Sequence, residues 1–562
     1  MEEKVLRFDN VSTYLKIADE RAEKEDFFGA LGFLLSAKSL APENLKVTVA
    51  LADLYSDMGL LELSNRFWFE YLDKAPKENY AMAYEELAIN YFYLDNFWAS
   101  GYYFHKKLEI DGYVSKEGLS QEIIDFFSGE EQRKGAYRIA YPFDRADYSY
   151  QLKKAKHAIA LGGFEEGDKI LSSIPEECLD ENTAGDLAVC KFMSDKLDEA
   201  EDVCRASLER HGANVTAFCN LSTVYDMKED FDNSDYYYRK ALEIRKGEQG
   251  EAYKIATCAI EREDHQTVLD CLNTILIDRP YELAMRFFYG LAFVNIGNYQ
   301  LGYEQLKIAY SLDDKDVAVK FHLDYVKDII DGEGDYLNLL PFKYVKDIPE
   351  QVAKNWKKKL RALTKNPEKF SSAMKKIEWQ KILEWGLTCN DLDIMRDCAY
   401  VLSSNFTPYS KALVMRTLLN PEGREELKRI LVYVAIVSGL KERFGVVAGS
   451  YYLKVKPRKL VCEKDKVFGG LYFSAYALCM SKMVFFDIDG MDKIGKVCDA
   501  VYKKFRSIIT EAEVSNEEIA ALILSECGYK NYSDDDRVVR LFTITKEKLS
   551  MLKKSFKGVK ND

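Results

Sequence analysis

The sequence predicts an all-α chain: a solenoid of two arrays of helical hairpins, followed by a mostly helical domain that carries one β-hairpin. Three observations lead there. The first is self-similarity at a 34-residue period, seen when "APEN" (41–44), "APKE" (75–78), "DRPY" (278–281) and "LDDK" (312–315) are aligned as unit ends. The second is apolar spacing of three and four within each unit, which gives a helix one buried face. The third is size and composition. A chain of 562 residues, 47% apolar and with only 11 prolines, exceeds one ordinary core and leaves little room for long disordered tracts.

The units run 11–44, 45–78 and, after two extra residues, 81–114; then 181–214, 215–248, 249–282 and 283–316. In the last of these, Tyr289 and Gly290 fall where two helices must approach closely, and Gly297, Asn298 and Tyr299 make the turn. Gly302, Leu306, Ala309 and Leu312 then mark the inward face of the second helix. Small residues recur at the closest approach (Ala30, Ser64, Ser100, Ala200, Ser234) and aromatics at the turn (Phe27, Phe97, Phe164, Phe231, Tyr299). Residues 148–180 form a shortened unit, and 317–330 are placed to cap the second array. The expected divisions are 1–118 for the first array, 119–147 for a helix and linker, and 148–334 for the second array with its cap. A helical region at 335–440 and a β-hairpin plus helices at 441–562 complete the chain.

This pattern resembles the tetratricopeptide repeat family, whose Trp-x₂-Leu-Gly-x₂-Tyr…Ala…Phe…Ala…Pro signature each unit matches in part over residues 11–330. Residues 335–440 loosely resemble a HEAT-type stack. The tetratricopeptide resemblance implies a superhelix whose concave surface, lined by the first helix of each unit, binds a peptide or protein. It implies groove positions at the second, fifth, ninth, twelfth and thirteenth residues of a unit. These include Asp19, Glu23, Asp53, Asp57 and Glu85 in the first array. In the second they include Phe192, Met193, Tyr253, Ile260, Phe287, Leu291 and Val294. One groove is expected to be acidic and to suit a basic segment; the other is apolar and aromatic and suits an amphipathic helix. The positions that hold a C-terminal carboxylate in the family's best-understood clamp carry Leu15, Asp19, Val49 and Asp53 here, which disfavours a chaperone co-factor.

Charge is divided unevenly. Residues 331–562 hold 41 Lys+Arg against 31 Asp+Glu, leaving 38 against 61 for residues 1–330, so the halves carry +10 and −23. Such halves attract each other, or the basic one faces a polyanion. The stretch 533–556, "SDDDRVVRLFTITKEKLSMLKKSF", resembles a helix-turn-helix unit with Ile544 in the turn and Thr543 where glycine is usual. That resemblance implies Lys546, Lys548, Lys553 and Lys554 as phosphate contacts, though no Arg, Asn or Gln stands where base edges would be read.

Catalytic chemistry finds little support. "MVFFDIDGMDKIG" (483–495) resembles the first motif of the haloacid dehalogenase family, but Met491 stands where that motif continues with Thr. Only 72 residues follow Gly490, too few for the sheet the motif needs, and they read as helices. Neither "GGFEEG" nor "GVVAGS" has dinucleotide-binding spacing or a strand-to-helix setting. The 12 cysteines include no C-x-x-C pair and read as buried thiols of a reducing compartment. The start, "MEEKVLRFDN", reads without the basic and apolar regions of a signal peptide, so none is expected, and the longest apolar run, 471–486, is short for a bilayer span and carries Lys482. The expectation is a non-enzymatic, cytoplasmic, protein- or peptide-binding scaffold that needs no cofactor, substrate or membrane. The alternative is a nucleic-acid-associated regulator with a repeat sensor.

Overall fold

The computed structural model describes residues 10–112, 137–139, 145–160, 162–332, 339–404, 406–484, 491–505, 514–529 and 534–558. The first array comprises α1 (Val11–Ala22), α2 (Phe27–Leu40), α3 (Leu45–Asp57), α4 (Leu61–Lys74), α5 (Tyr80–Tyr93) and α6 (Phe97–Asp111). Two short antiparallel strands follow, β1 (Tyr137–Ile139) and β2 (Arg145–Asp147), which the sequence did not signal; the rest of the expected helix and linker, 119–147, lies outside the described residues. The second array opens with the short pair α7 (Ser149–Ala160) and α8 (Phe164–Leu171). It continues through α9 (Glu181–Met193), α10 (Leu197–His211), α11 (Val215–Met227), α12 (Phe231–Ile244) and α13 (Gln249–Glu261). It ends with α14 (His265–Asp278), α15 (Leu283–Asn295), α16 (Tyr299–Leu312) and the capping helix α17 (Val317–Asp331). Helices α9, α11, α13, α15 and α17 start 34 residues apart, the period read from the sequence.

Local chemistry explains the hairpins. Asp26, Asn96, Asp230, Asp264 and Asn298 each cap the second helix of a pair by accepting a backbone N–H three residues on. The residue just before each cap (Glu25, Asp95, Glu229, Glu263, Gly297) has a left-handed φ that turns the chain back on itself. The predicted small residues Ala30, Ser64, Ser100, Ala200 and Ser234 are all buried where the paired helices meet. At α15 and α16 the approach is closest: a Cβ on Gly302 would lie 3.1 Å from the Gly290 carbonyl oxygen.

The remainder packs around one hydrophobic cluster that extends from Ile348 to Leu552. It contains α18 (Glu350–Thr364), α19 (Phe370–Ala373), α20 (Ile377–Thr388), α21 (Leu392–Ser404), α22 (Pro408–Leu419) and α23 (Glu425–Val437). The hairpin expected over 444–455 forms as β3 (Phe444–Ala448) and β4 (Tyr451–Val455). Then come α24 (Gly469–Met483), α25 (Met491–Phe505), α26 (Asn516–Glu526), α27 (Asp535–Phe542) and α28 (Lys546–Gly558). The Asp-x-Asp-Gly stretch, 487–490, lies outside the described residues.

The chain closes on itself. Tyr55 of α3 donates to the Leu312 carbonyl at 2.9 Å, the ring of Phe28 lies 5.0 Å from that of Tyr281, and Arg66 bridges Asp313 and Glu422 at 2.7 Å each. The β3–β4 hairpin docks on α4 and α6. Tyr103 Oη donates to the Ser450 carbonyl at 2.6 Å and accepts the Tyr452 N–H at 2.9 Å. The Tyr452 ring stacks on Phe69, and its hydroxyl donates to Asp73 at 3.2 Å. The oppositely charged halves therefore do meet, chiefly through buried aromatics and hydrogen bonds.

Candidate peptide-binding surfaces

In the first array, α3 presents Asp53 and Asp57 to α5, which adds Glu85 and Glu86. Burial, then the nearby Glu86 and Asp57 charges, push the Asp53 carboxyl up to about 6. The same causes raise Glu86, with Glu85 and Asp57 as neighbours, and burial raises Asp57. Glu85 is offset by Lys107 at 2.8 Å. No ion pair neutralises Asp53, Asp57 or Glu86 among the described residues. One and two turns beyond Glu86 on the same helix, Ile89 and Tyr93 are 44% and 70% exposed. Asp19 and Glu23 sit exposed at the end of α1 and are not among the charges acting on Asp53. Glu86 was missed by the sequence reading because it falls outside the five groove positions of a unit.

The second array corrects the expected open apolar groove. Met193 is 52% exposed, and Tyr253 and Ile260 are half-buried, but Phe192 is buried. Phe287, Leu291 and Val294 are essentially inaccessible. The cause is coverage: all three belong to a buried cluster with Val319, Leu323 and Val326 of α17 and with Phe342. Phe342 belongs to an irregular segment, 339–348, that crosses back over α15. Asn295 Nδ2 donates to the Phe342 carbonyl at 2.8 Å, and its Oδ1 accepts the Phe342 N–H at 2.7 Å. The Phe342 ring lies 4.6 Å from His322 and 5.5 Å from Tyr325. Burial drops the His322 imidazole to about 4, so it is a neutral wall at physiological pH. Tyr344 Oη lies 2.9 Å from His265 Nδ1, with its ring 6.1 Å from Phe288, and Lys346 pairs with Asp316 at 3.2 Å.

At the C-terminal end, three of the four candidate phosphate-binding lysines are already paired. Lys546 meets Asp536 at 2.8 Å, Lys548 meets Glu518 at 3.7 Å, and Lys553 meets Asp535. Lys554 is exposed. The turn between α27 and α28 does exist, with Thr543 in left-handed conformation at φ 55°, where a β-branched residue is strained. The basic surface that remains open is elsewhere. An open groove of about 480 Å³ runs beside α18, lined by Lys354, Lys357, Lys358, Arg361 and Lys365. Lys354 and Lys357 pair with Glu350 and Asp391, whereas Lys358, Arg361 and Lys365 have no ion pair among the described residues.

Among the described residues no group of three His, Cys, Asp or Glu side chains is placed to hold a metal ion. All 12 cysteines are free, and all but Cys178 are buried. No described helix is long and apolar enough to cross a membrane.

These features define the class: a tetratricopeptide-type α-solenoid joined to a helical domain. No protein-family model matches the sequence, and no curated protein does. Among solved structures, YrrB, described as a TPR protein with an unusual peptide-binding site, is 14% identical over 32% of this chain and 92% of its own, with a TM-score of 0.23. MamA from MSR-1 is 16% identical over 30% of this chain and 96% of its own, with a TM-score of 0.22. The human IFIT1 dimer with m7Gppp-AAAA is 12% identical over 72% of this chain and 88% of its own, with a TM-score of 0.27. At these levels no residue or ligand is carried across.

Proposed function

We propose that this chain is a non-enzymatic scaffold that binds a protein partner on the concave face of its first array, seating a lysine- or arginine-bearing segment against Asp53, Asp57 and Glu86. The observation that supports this reading is the frustration of those carboxylates: burial raises the proton affinity of all three, the Asp57 charge raises Asp53 and Glu86 further, and no ion pair among the described residues neutralises them. An incoming ammonium or guanidinium would relieve that repulsion, and the exposed Ile89 and Tyr93 would pack against its alkyl stem.

Calorimetric titration of an arginine- and lysine-rich peptide tests the reading. Affinity is expected to rise with pH through about 6, because the bound cation favours ionised Asp53. Asp53→Asn with Asp57→Asn should weaken binding at least tenfold, about 1.4 kcal/mol; an unchanged affinity would sink the proposal. Asp53→Asn alone should also stabilise the free protein near pH 7.5 by about 1 kcal/mol, a figure that allows for solvent screening of a half-exposed group. The sign follows from a folded-state value near 6 against an unfolded value near 3.9. The wild-type penalty is full above the first and gone below the second.

A second reading is favoured by the open lysine stripe on α18, which suits a nucleic-acid phosphate backbone better than the internally paired lysines of α27–α28 do. Filter binding of a single-stranded oligonucleotide across a salt series checks it. Lys358→Glu, Arg361→Glu and Lys365→Glu together should abolish binding and its salt slope, while Lys548→Glu should change little. Retention of binding by the triple variant refutes the assignment.

A further inference from the structure

The segment 339–348 is held the way a bound peptide is held. From Leu340 onward it forms neither helix nor strand, and it lies across repeats that precede it in the chain. Its main chain is gripped by a side-chain amide that satisfies both the N–H and the carbonyl of Phe342. Such a grip is indifferent to which residue it holds, so selectivity falls to the side chains. Those alternate. Phe342 is buried against His322 and Tyr325, Tyr344 is half-buried with its hydroxyl at His265, and Lys346 reaches Asp316. Lys343 and Val345 between them face outward. Alternate side chains thus meet the array, two rings packed against it and one exposed ammonium ion-paired to it, and together with a backbone clamp this is a general logic of peptide recognition.

We propose that this surface of the second array is a peptide-recognition site for the pattern Phe-x-Tyr-x-Lys. In the free protein residues 342–346 fill it in cis, and a partner segment of the same pattern takes it by exchange. The proposal stands apart from the acidic face of the first array and does not depend on it. Tethering gives the internal segment an effective concentration on the order of millimolar, so a free peptide competes poorly until the internal copy is weakened. Recognition by pockets for aromatics two residues apart also sets the partner's chemistry. A short segment with two rings and a following cation fits, and a polyacidic or purely aliphatic one does not.

The test uses the full chain and a fluorescein-labelled nonapeptide with the sequence of residues 339–347, LLPFKYVKD. Fluorescence anisotropy should show at least tenfold tighter binding to the Phe342→Ala, Tyr344→Ala double variant than to wild type. Adding Asn295→Ala to that variant should remove at least tenfold of the gain. A double variant that binds no more tightly than wild type, or a gain indifferent to Asn295, overturns the proposal. Should the double variant fail to fold, hydrogen exchange on the wild type decides. Millimolar peptide, but not a scrambled version, should speed exchange of the Phe342 amide more than tenfold while α13 to α16 keep their protection. Exchange that ignores the peptide leaves the segment a structural strap and the proposal wrong.

Discussion

Tyr103→Phe is expected to lower the unfolding free energy by about 2–3 kcal/mol, since each buried polar group left without a partner costs roughly 1–3 kcal/mol. One hydroxyl serves two main-chain groups of the hairpin, the buried Tyr452 N–H and the Ser450 carbonyl, and phenylalanine satisfies neither. Ring packing against Tyr91 and Phe69 is retained in this variant, so the loss reports the hydrogen bonds alone. Tyr103→Ala, which also opens a cavity, should cost about 4 kcal/mol. Urea unfolding gives the magnitude, and hydrogen exchange gives the location. Residues 444–455 should lose protection first while α1 and α2 keep theirs. Equal protection of the hairpin in wild type and Tyr103→Phe would show that the hydroxyl does not fasten the two regions.

Lys428→Met is expected to act in the opposite direction and to stabilise the chain at pH 7 by about 2 kcal/mol, the charge-burial penalty less one hydrogen bond. Lys428 is fully buried on α23, where Nζ donates to the Val447 carbonyl at 2.6 Å. Burial lowers its ammonium to about 8, with Glu425 acting weakly the other way. In the folded chain the proton leaves near 8, and in the unfolded chain near 10.4. Between those values the unfolded state holds more protons, so the Lys428 contribution to stability improves as pH rises through that window. The methionine variant lacks this improvement, and the two chains should converge to within about 1 kcal/mol above pH 10, the worth of the remaining hydrogen bond. Denaturant midpoints collected from pH 7 to 10.5 would check this. Parallel curves for the two proteins would mean that Lys428 releases its proton at the same pH folded and unfolded, so that its burial carries no charge penalty.

The hairpin period was legible because every unit repeats the same burial problem. Ala30, Ser64, Ser100, Ala200 and Ser234 must be small where helices touch, and all are buried in the structure. The β3–β4 hairpin was legible from its β-branched and aromatic runs around Gly449. The groove was legible only in part, because fixed positions within a repeat say nothing about what the rest of the chain lays over them. Phe287, Leu291 and Val294 are placed as a groove requires, yet α17 and Phe342 close over them. The grip on that segment joins Asn295 and His265 to residues 47 and 79 positions away, a distance over which no local period operates. Charge summed along the chain misled similarly at the C-terminus. Three lysines of α28 find acids on α26 and α27, and pairing between helices is invisible to a count.

The closure of the chain has a consequence during synthesis. The docking partner of Tyr103 is encoded 349 residues downstream of it. At typical elongation rates of about 5–20 residues per second, the first array waits roughly 20–70 s for the hairpin that covers it. Throughout that interval the emerging polypeptide presents Phe69 and Tyr103 with no β3–β4 to shield them, an apolar surface on an otherwise completed unit. Ribosome-associated chaperones are the natural guardians of such a surface. Their depletion should harm the full-length product more than a helical protein of equal size whose contacts are all between neighbours in sequence.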